Sequence, residues 1–291
     1  MDWDTILNVF AQIGNLALPI FVFFTMFNVG LSQNLEDIAS YFKKWKFHLR
    51  VVLANFIGGP IIAYLLIQLF SLDTSMAIGL LIFSMCAGAP FMIKLVQFSD
   101  NDVALGASLM LVLVLVSVVY VPIALPMVAG DIEVSAWELF WNLFRQLVLP
   151  IIFGLLLDRI ASSFSDTIQP WVAKIGNIAL WIVIIGTLVG NIEGIMAIAG
   201  NGAILAGLLF IILITILGYF SAGKNDEDYL QEVGAIGSGQ RNTAASMLIA
   251  ANNFPDNPEI FLIITIANMI GIIFHLFMAK LMEKDVLEEN I

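Results

Sequence analysis

Nine stretches of this chain are each long and apolar enough to cross a lipid bilayer, and no other feature restricts the fold so sharply. They fall near 6–32, 48–70, 76–98, 103–129, 137–157, 171–192, 201–222, 230–252 and 259–282. A helix needs about 20 mainly apolar residues to span a hydrocarbon core about 30 Å thick. The connections are short and polar, so no large extramembrane domain fits between the spans. With 60% hydrophobic and 12% charged residues, the 291-residue chain carries more apolar surface than a water-facing exterior can hide. Transmembrane β-barrels need dyad alternation in strands of about 10 residues, which is absent. The expected fold class is an all-α polytopic membrane protein of nine transmembrane helices, with the bilayer as its first partner. A net charge of −11 opposes contact with nucleic acid. The single cysteine, Cys86, excludes an internal disulfide and a Cys-rich metal site. The acidic start Met1-Asp2-Trp3-Asp4 does not read as a cleavable signal peptide.

Lysine and arginine set the expected orientation. Of twelve, Lys94, Arg145 and Arg241 lie inside expected spans. The others are Lys43, Lys44, Lys46, Arg50, Arg159, Lys174, Lys224, Lys280 and Lys284. With nine spans, all of these fall on the side opposite the N-terminus. The loops near 71–75, 130–136, 193–200 and 253–258 contain none. Positive residues stay cytoplasmic. The N-terminus is therefore expected outside, the C-terminus in the cytoplasm, and the membrane is read as a bacterial inner membrane.

Two spans do not read as ordinary helices. The third contains Cys86-Ala87-Gly88-Ala89-Pro90-Phe91-Met92-Ile93-Lys94, where Pro90 removes a backbone donor. The eighth contains Gly234-Ala235-Ile236-Gly237-Ser238-Gly239-Gln240-Arg241-Asn242-Thr243, with three glycines ahead of a polar run. Glycine weakens a helix, and bare backbone cannot face hydrocarbon. Both spans are expected to break, near 86–94 and near 234–243, with the breaks facing protein or water. The alternative is that the glycines only let helices pack closely. Interrupted spans in corresponding places of two halves are a sequence pointer to a secondary transporter site. The halves are 1–129, holding spans one to four, and 130–291, holding spans five to nine. Read as inverted repeats, they bring the two breaks together near the midplane.

The same residues carry a family resemblance. Met26-Phe27-Asn28-Val29-Gly30-Leu31, Cys86-Ala87-Gly88, Asp102-Val103-Ala104-Leu105, Leu149-Pro150-Ile151 after Arg145, and Gly239-Gln240-Arg241-Asn242-Thr243 follow each other in the order seen in the bile-acid:sodium symporter family. Asn268 and Gly271 match positions in its last helix. The chain resembles the nine-helix form of that family. The resemblance implies a panel domain, a core domain with two crossing broken helices, and transport of organic anions. It departs from the pattern at the sodium ligands. Aligned through Val103-Ala104-Leu105, the family's Ser-Asn pair falls on Met92-Ile93, and its hydroxyl ligands on Gly106 and Met110. Aligned through Asn242-Thr243, its Glu falls on Gly237 and its Gln on Arg241. A slip of one residue recovers the Gln at Gln240 but not the acid.

Arg241 sits near the middle of its span, where an arginine costs roughly 2.5–3.5 kcal/mol on insertion scales. It is expected to face the interior, either binding a carboxylate or oxyanion or, structurally, holding exposed carbonyls at the break. Lys94 is a second candidate anion ligand, or a snorkelling interfacial lysine. Gln240, Asn242, Thr243, Ser238 and Asn268 are the polar candidates for a substrate cavity, or else helix–helix hydrogen bonds. Cys86 and His275 read best as packed groups, and Lys43, Lys44 and Lys46 as contacts to lipid headgroups. No acid lies deep in a span, since Glu193 and Glu232 are at edges. No nucleophile–base pair or metal-ligand cluster argues for an enzyme.

The expected function is a secondary active transporter of a small organic anion by alternating access, without the family's two-sodium site and without a cofactor. A sodium-coupled organic-anion symporter is the alternative. A non-cycling channel or sensor is the competing class.

Overall fold

The computed structural model describes residues 3–33, 36, 40–128, 135–190, 192, 202–223 and 229–282. Among them every regular element is helical. The helices are α1 (Trp3–Ser32), α2 (Trp45–Phe70), α3 (Thr74–Met85), α4 (Phe91–Phe98), α5 (Val103–Val128) and α6 (Ala136–Ile160), then α7 (Ser162–Gly190), α8 (Ala203–Ser221), α9 (Tyr229–Gly239), α10 (Thr243–Asn253) and α11 (Pro258–Met282). Seven of them are long and apolar enough to cross a membrane: α1, α2, α5, α6, α7, α8 and α11. Of the expected loops, 130–134 and 193–200 lie outside the described residues, as do Glu193, Lys224 and Lys284.

The outward faces carry large apolar side chains. Met127 is 80% exposed and Ile160 81%. A surface of that kind faces lipid rather than water. Trp171 lies under the Lys174 ammonium at 5.5 Å, and Trp45 under that of Lys46 at 5.9 Å. Such pairs suit a membrane–water boundary, where the ring is half wet and the cation can reach water.

Lipid offers no hydrophobic drive between helices, so close backbone approach has to hold the bundle together. Helix α1 packs along α7 and α6 by this means. A Cβ on Gly186 would lie 2.7 Å from Gly14 Cα, and one on Gly30 2.8 Å from Gly154 Cα. The remaining helices continue the same hydrophobic core. Leu80, Phe83, Met92, Leu109, Met110, Phe210 and Ile236 are all essentially inaccessible there.

Two long helices are widened by a π turn, at Ala54–Gly58 in α2 and Phe144–Val148 in α6. Each is followed within two residues by a proline, Pro60 and Pro150. Proline cannot donate to the carbonyl four residues back and its ring crowds it. One extra residue in the turn relieves the conflict without ending the helix.

Polar links join the helices beside this core. Tyr41 donates its hydroxyl to Asp102 Oδ2, and that bond to a carboxylate pushes the tyrosine pKa up to about 12. Asp102 Oδ1 also accepts the Leu105 N–H at 3.0 Å and so caps α5. Asn101 Nδ2 donates to Glu232 Oε2 at 2.7 Å, tying the α4–α5 turn to the first turn of α9.

Candidate functional site: the junction of two interrupted helices

Both expected interruptions are present, and they meet. The first runs from Cys86 to Pro90, between α3 and α4. Gly88 takes φ +82°, which glycine adopts without a Cβ penalty. Pro90 stands at the N-cap of α4, where its missing N–H costs nothing. The second lies within the expected 234–243, at its polar end rather than among the glycines. Gly234, Gly237 and Gly239 are helical, and the chain leaves the helix only at Gln240–Asn242. The three glycines serve packing instead: Gly234 faces α8, Gly237 faces Met92 and Leu109, and Gly239 lies against Thr215 and His275. The break falls where polar side chains can satisfy the freed backbone.

Buried backbone groups must find partners, and here each interruption supplies them to the other. The Asn242 N–H donates to Cys86 O at 2.9 Å, and Asn242 Nδ2 donates to Gly88 O at 3.0 Å. Asn242 Oδ1 accepts from Ala245 N at 3.0 Å and so caps α10. Ser117 of α5 accepts from Ala87 N at 3.1 Å and donates to Ala87 O at 3.2 Å. Thr243 Oγ1 donates to Asn268 Oδ1, joining α10 to α11.

Arg241 is 1% exposed. Its Nε donates to Phe83 O at 3.2 Å and its Nη1 to Ser238 O at 3.1 Å. Nη1 also donates to Asn55 Oδ1, and Nη2 to Ser84 O. Its guanidinium carbon lies 5.9 Å from the centre of the Phe210 ring, within cation–π range. Every acceptor is neutral. Asn55, in the π turn of α2, is a site residue that sequence reasoning missed. An Asn inside an apolar helix shortly before Gly-Gly-Pro was the only trace of it.

The structure brings Arg241, Asn242, Thr243, Ser238 and Asn268 into one buried network around the junction. Ser238 Oγ accepts from Asn55 Nδ2 at 2.9 Å. Gln240 is 2% exposed, and its Oε1 is buried without a hydrogen-bond partner among the described residues. The N–H groups of Gly88, Ala89 and Phe91, at the start of α4, also reach no acceptor among the described residues. Lys94 is not part of the network. It lies exposed on α4, one turn beyond the break. Arg145 is exposed too, 5.7 Å from the Trp141 ring. His275 is a packed group: its Nδ1 lies 2.7 Å from Gly271 O and its Nε2 3.0 Å from Thr215 Oγ1. Cys86 is fully buried.

Long apolar helices around two interrupted ones, with a hydrogen-bonded polar junction in the protein interior, mark an integral membrane protein. A model of the sodium bile acid symporter family matches residues 19–198, and the chain belongs to that family. It is 23% identical over 247 residues to a probable chloroplast sodium/metabolite cotransporter of Arabidopsis thaliana, covering 80% of this chain and 60% of the relative. A second such chloroplast protein from Arabidopsis thaliana is 22% identical over 244 residues, again 80% and 60%. A sodium-dependent transporter of Bacillus subtilis, itself uncharacterized, is 23% identical over 250 residues, covering 81% and 74%. The chain spans about 60% of the length of the plant relatives it matches.

Proposed function

We propose that this protein is a secondary transporter of a small organic anion, working by alternating access and without a two-sodium site. The observation that carries the reading is the junction itself, where Asn242 bridges both interruptions. In transporters of this kind, half-helix N-termini face anionic groups and half-helix C-termini face cations. The unpaired N–H groups of Gly88, Ala89 and Phe91 are suited to a carboxylate, while the unpartnered Gln240 Oε1 can accept from a donor group on the substrate. Thr243 and Asn268 border the same break. Arg241, with four donors already engaged, acts on the anion by charge rather than by contact. Lys94, exposed, serves at the mouth of the pathway.

On this reading α3–α4 and α9–α10 each make one span, giving nine in two inverted repeats, 1–129 and 130–291. Helices α1, α6 and α7 form a panel that the rest of the bundle moves against. The N-terminus is outside and the C-terminus cytoplasmic, in a bacterial inner membrane. In a Cys86→Ala background, a single cysteine at Ser135 labels from outside and one at Ser40 from inside. Reversed labelling removes the arrangement.

The names of the relatives favour a second reading, a sodium-coupled symporter of organic anions. Both readings are tested with purified protein in proteoliposomes, using pyruvate, succinate and taurocholate as probes. Saturable uptake with counterflow, unchanged when potassium replaces sodium, is expected. Saturable sodium dependence selects the second reading, and conductance without exchange selects a channel.

A further inference from the structure

We infer that the four oxygens around Arg241 form a built site for a monovalent cation, and that its resident occupant is the arginine's own guanidinium. The carbonyls of Phe83 and Ser84 belong to the last turn of α3, and that of Ser238 to the last turn of α9. Carbonyls in a last turn lack intrahelical partners and carry the negative end of the helix dipole. The guanidinium therefore lies where the carbonyl ends of both interrupted helices converge. The fourth oxygen is preset. Asn55 Nδ2 is engaged by Val51 O at 2.8 Å and Ser238 Oγ at 2.9 Å, so the amide can present only Oδ1 to Arg241. An all-neutral set of oxygens is what a free alkali cation would use at half-helix C-termini. No carboxylate is among these partners, so the positive charge stays available to an anion at the helix N-termini across the junction.

The places where the resemblance puts sodium ligands do not fit that ion. Met92 and Met110 are fully buried, and a Cβ on Gly237 would lie 3.0 Å from Met92 Cε and 2.6 Å from Leu109 Cδ2. Apolar carbon fills the position aligned with the acid. A second monovalent cation about 4 Å from the guanidinium would bind about a thousandfold more weakly than without it, at an effective dielectric of about 20. Arg241 thus takes over the charge compensation that a coupled ion supplies, through a cation that cannot leave. That consequence for coupling rests on the transport reading, whereas the cage does not.

The test uses thermal denaturation of the full chain in detergent, at constant ionic strength, with sodium, potassium or methylguanidinium chloride at millimolar levels. The wild-type melting temperature is expected to be the same in sodium and potassium. Arg241→Ala is expected to melt lower and to be stabilised saturably by methylguanidinium or sodium, and Asn55→Ala in that background to remove the rescue. Saturable sodium stabilisation of the wild type, or an Arg241→Ala protein indifferent to every cation, overturns the inference. If Arg241→Ala does not fold, Arg241→Lys and Arg241→Met decide. The lysine protein should be the more stable, because it keeps a tethered cation among the same oxygens, and the opposite order overturns the assignment. Absence of counterflow with all three organic anions, in sodium and potassium alike, is instead the failure of the transport reading, and the melting arms judge the cage independently.

Discussion

Gly88→Ala should all but eliminate folded protein. At φ +82° a Cβ carries the left-handed penalty of roughly 1–2 kcal/mol. Steric overlap costs more. The new carbon would lie 2.6 Å from Val114 N and 2.8 Å from Met110 O. Both atoms are backbone of α5, so no side-chain rotation relieves the overlap. Shifting the loop instead pulls Gly88 O from Asn242 Nδ2 and Ala87 from Ser117. Together these effects put the loss at roughly 4 kcal/mol or more, the range kept for changes with several named causes. Size-exclusion chromatography and thermal denaturation in detergent measure it. Ala87→Gly, which keeps every hydrogen bond of the loop, is the control and should cost about 1 kcal/mol or less. A Gly88→Ala protein melting with the wild type would show that α5 does not pack on this loop.

Asn242→Ala should be the next most damaging change, and it should remove transport before it removes the fold. The side chain does two jobs at once. Loss of the cap on Ala245 N costs about 1 kcal/mol. Loss of the bond to Gly88 O is an interhelical loss within the membrane, averaging about 0.6 and reaching about 1.7 kcal/mol. The sum is about 1.6–2.7 kcal/mol, which a stable bundle can survive. The side-chain link from Asn242 to Gly88 O is lost with it, leaving the backbone bond to Cys86 O to hold the two interruptions at that residue. Asn242→Asp separates the jobs. Aspartate caps a helix as well as asparagine does, yet it places an oxygen rather than an N–H against Gly88 O. It should therefore be no better than alanine in both melting temperature and counterflow. If aspartate restores either, the cap alone is what Asn242 provides.

The reach of the sequence can be judged from particular residues. Pro90 and the glycine-rich stretch marked both interruptions, because proline and exposed backbone are local liabilities in a helix. The second interruption nevertheless lies beyond Gly239, not among the glycines. A glycine that opens a helix and one that admits a neighbour are the same residue in a sequence, and only the presence of Thr215 and His275 against Gly239 tells them apart. Arg241 was legible as an interior cation from its cost in lipid. Three of its four acceptors were not, since Phe83, Ser84 and Asn55 lie more than 150 residues away along the chain. Lys94 lies only two residues beyond Met92, yet Met92 is buried and Lys94 exposed.

By itself the sequence determined that the chain is helical, that it lives in a membrane, and which two segments break. These follow from transfer free energies and backbone satisfaction, which act on each segment alone. Which face of each helix turns inward was decided by the tertiary structure. In water an amphipathic stripe reveals that face, but in lipid the outward and inward faces are both apolar. The partners of Arg241, the double role of Asn242 and the unpartnered Oε1 of Gln240 all depend on that choice of face. It is made by backbone contact at small residues and by hydrogen bonds between helices far apart in the chain, and neither has a local signature.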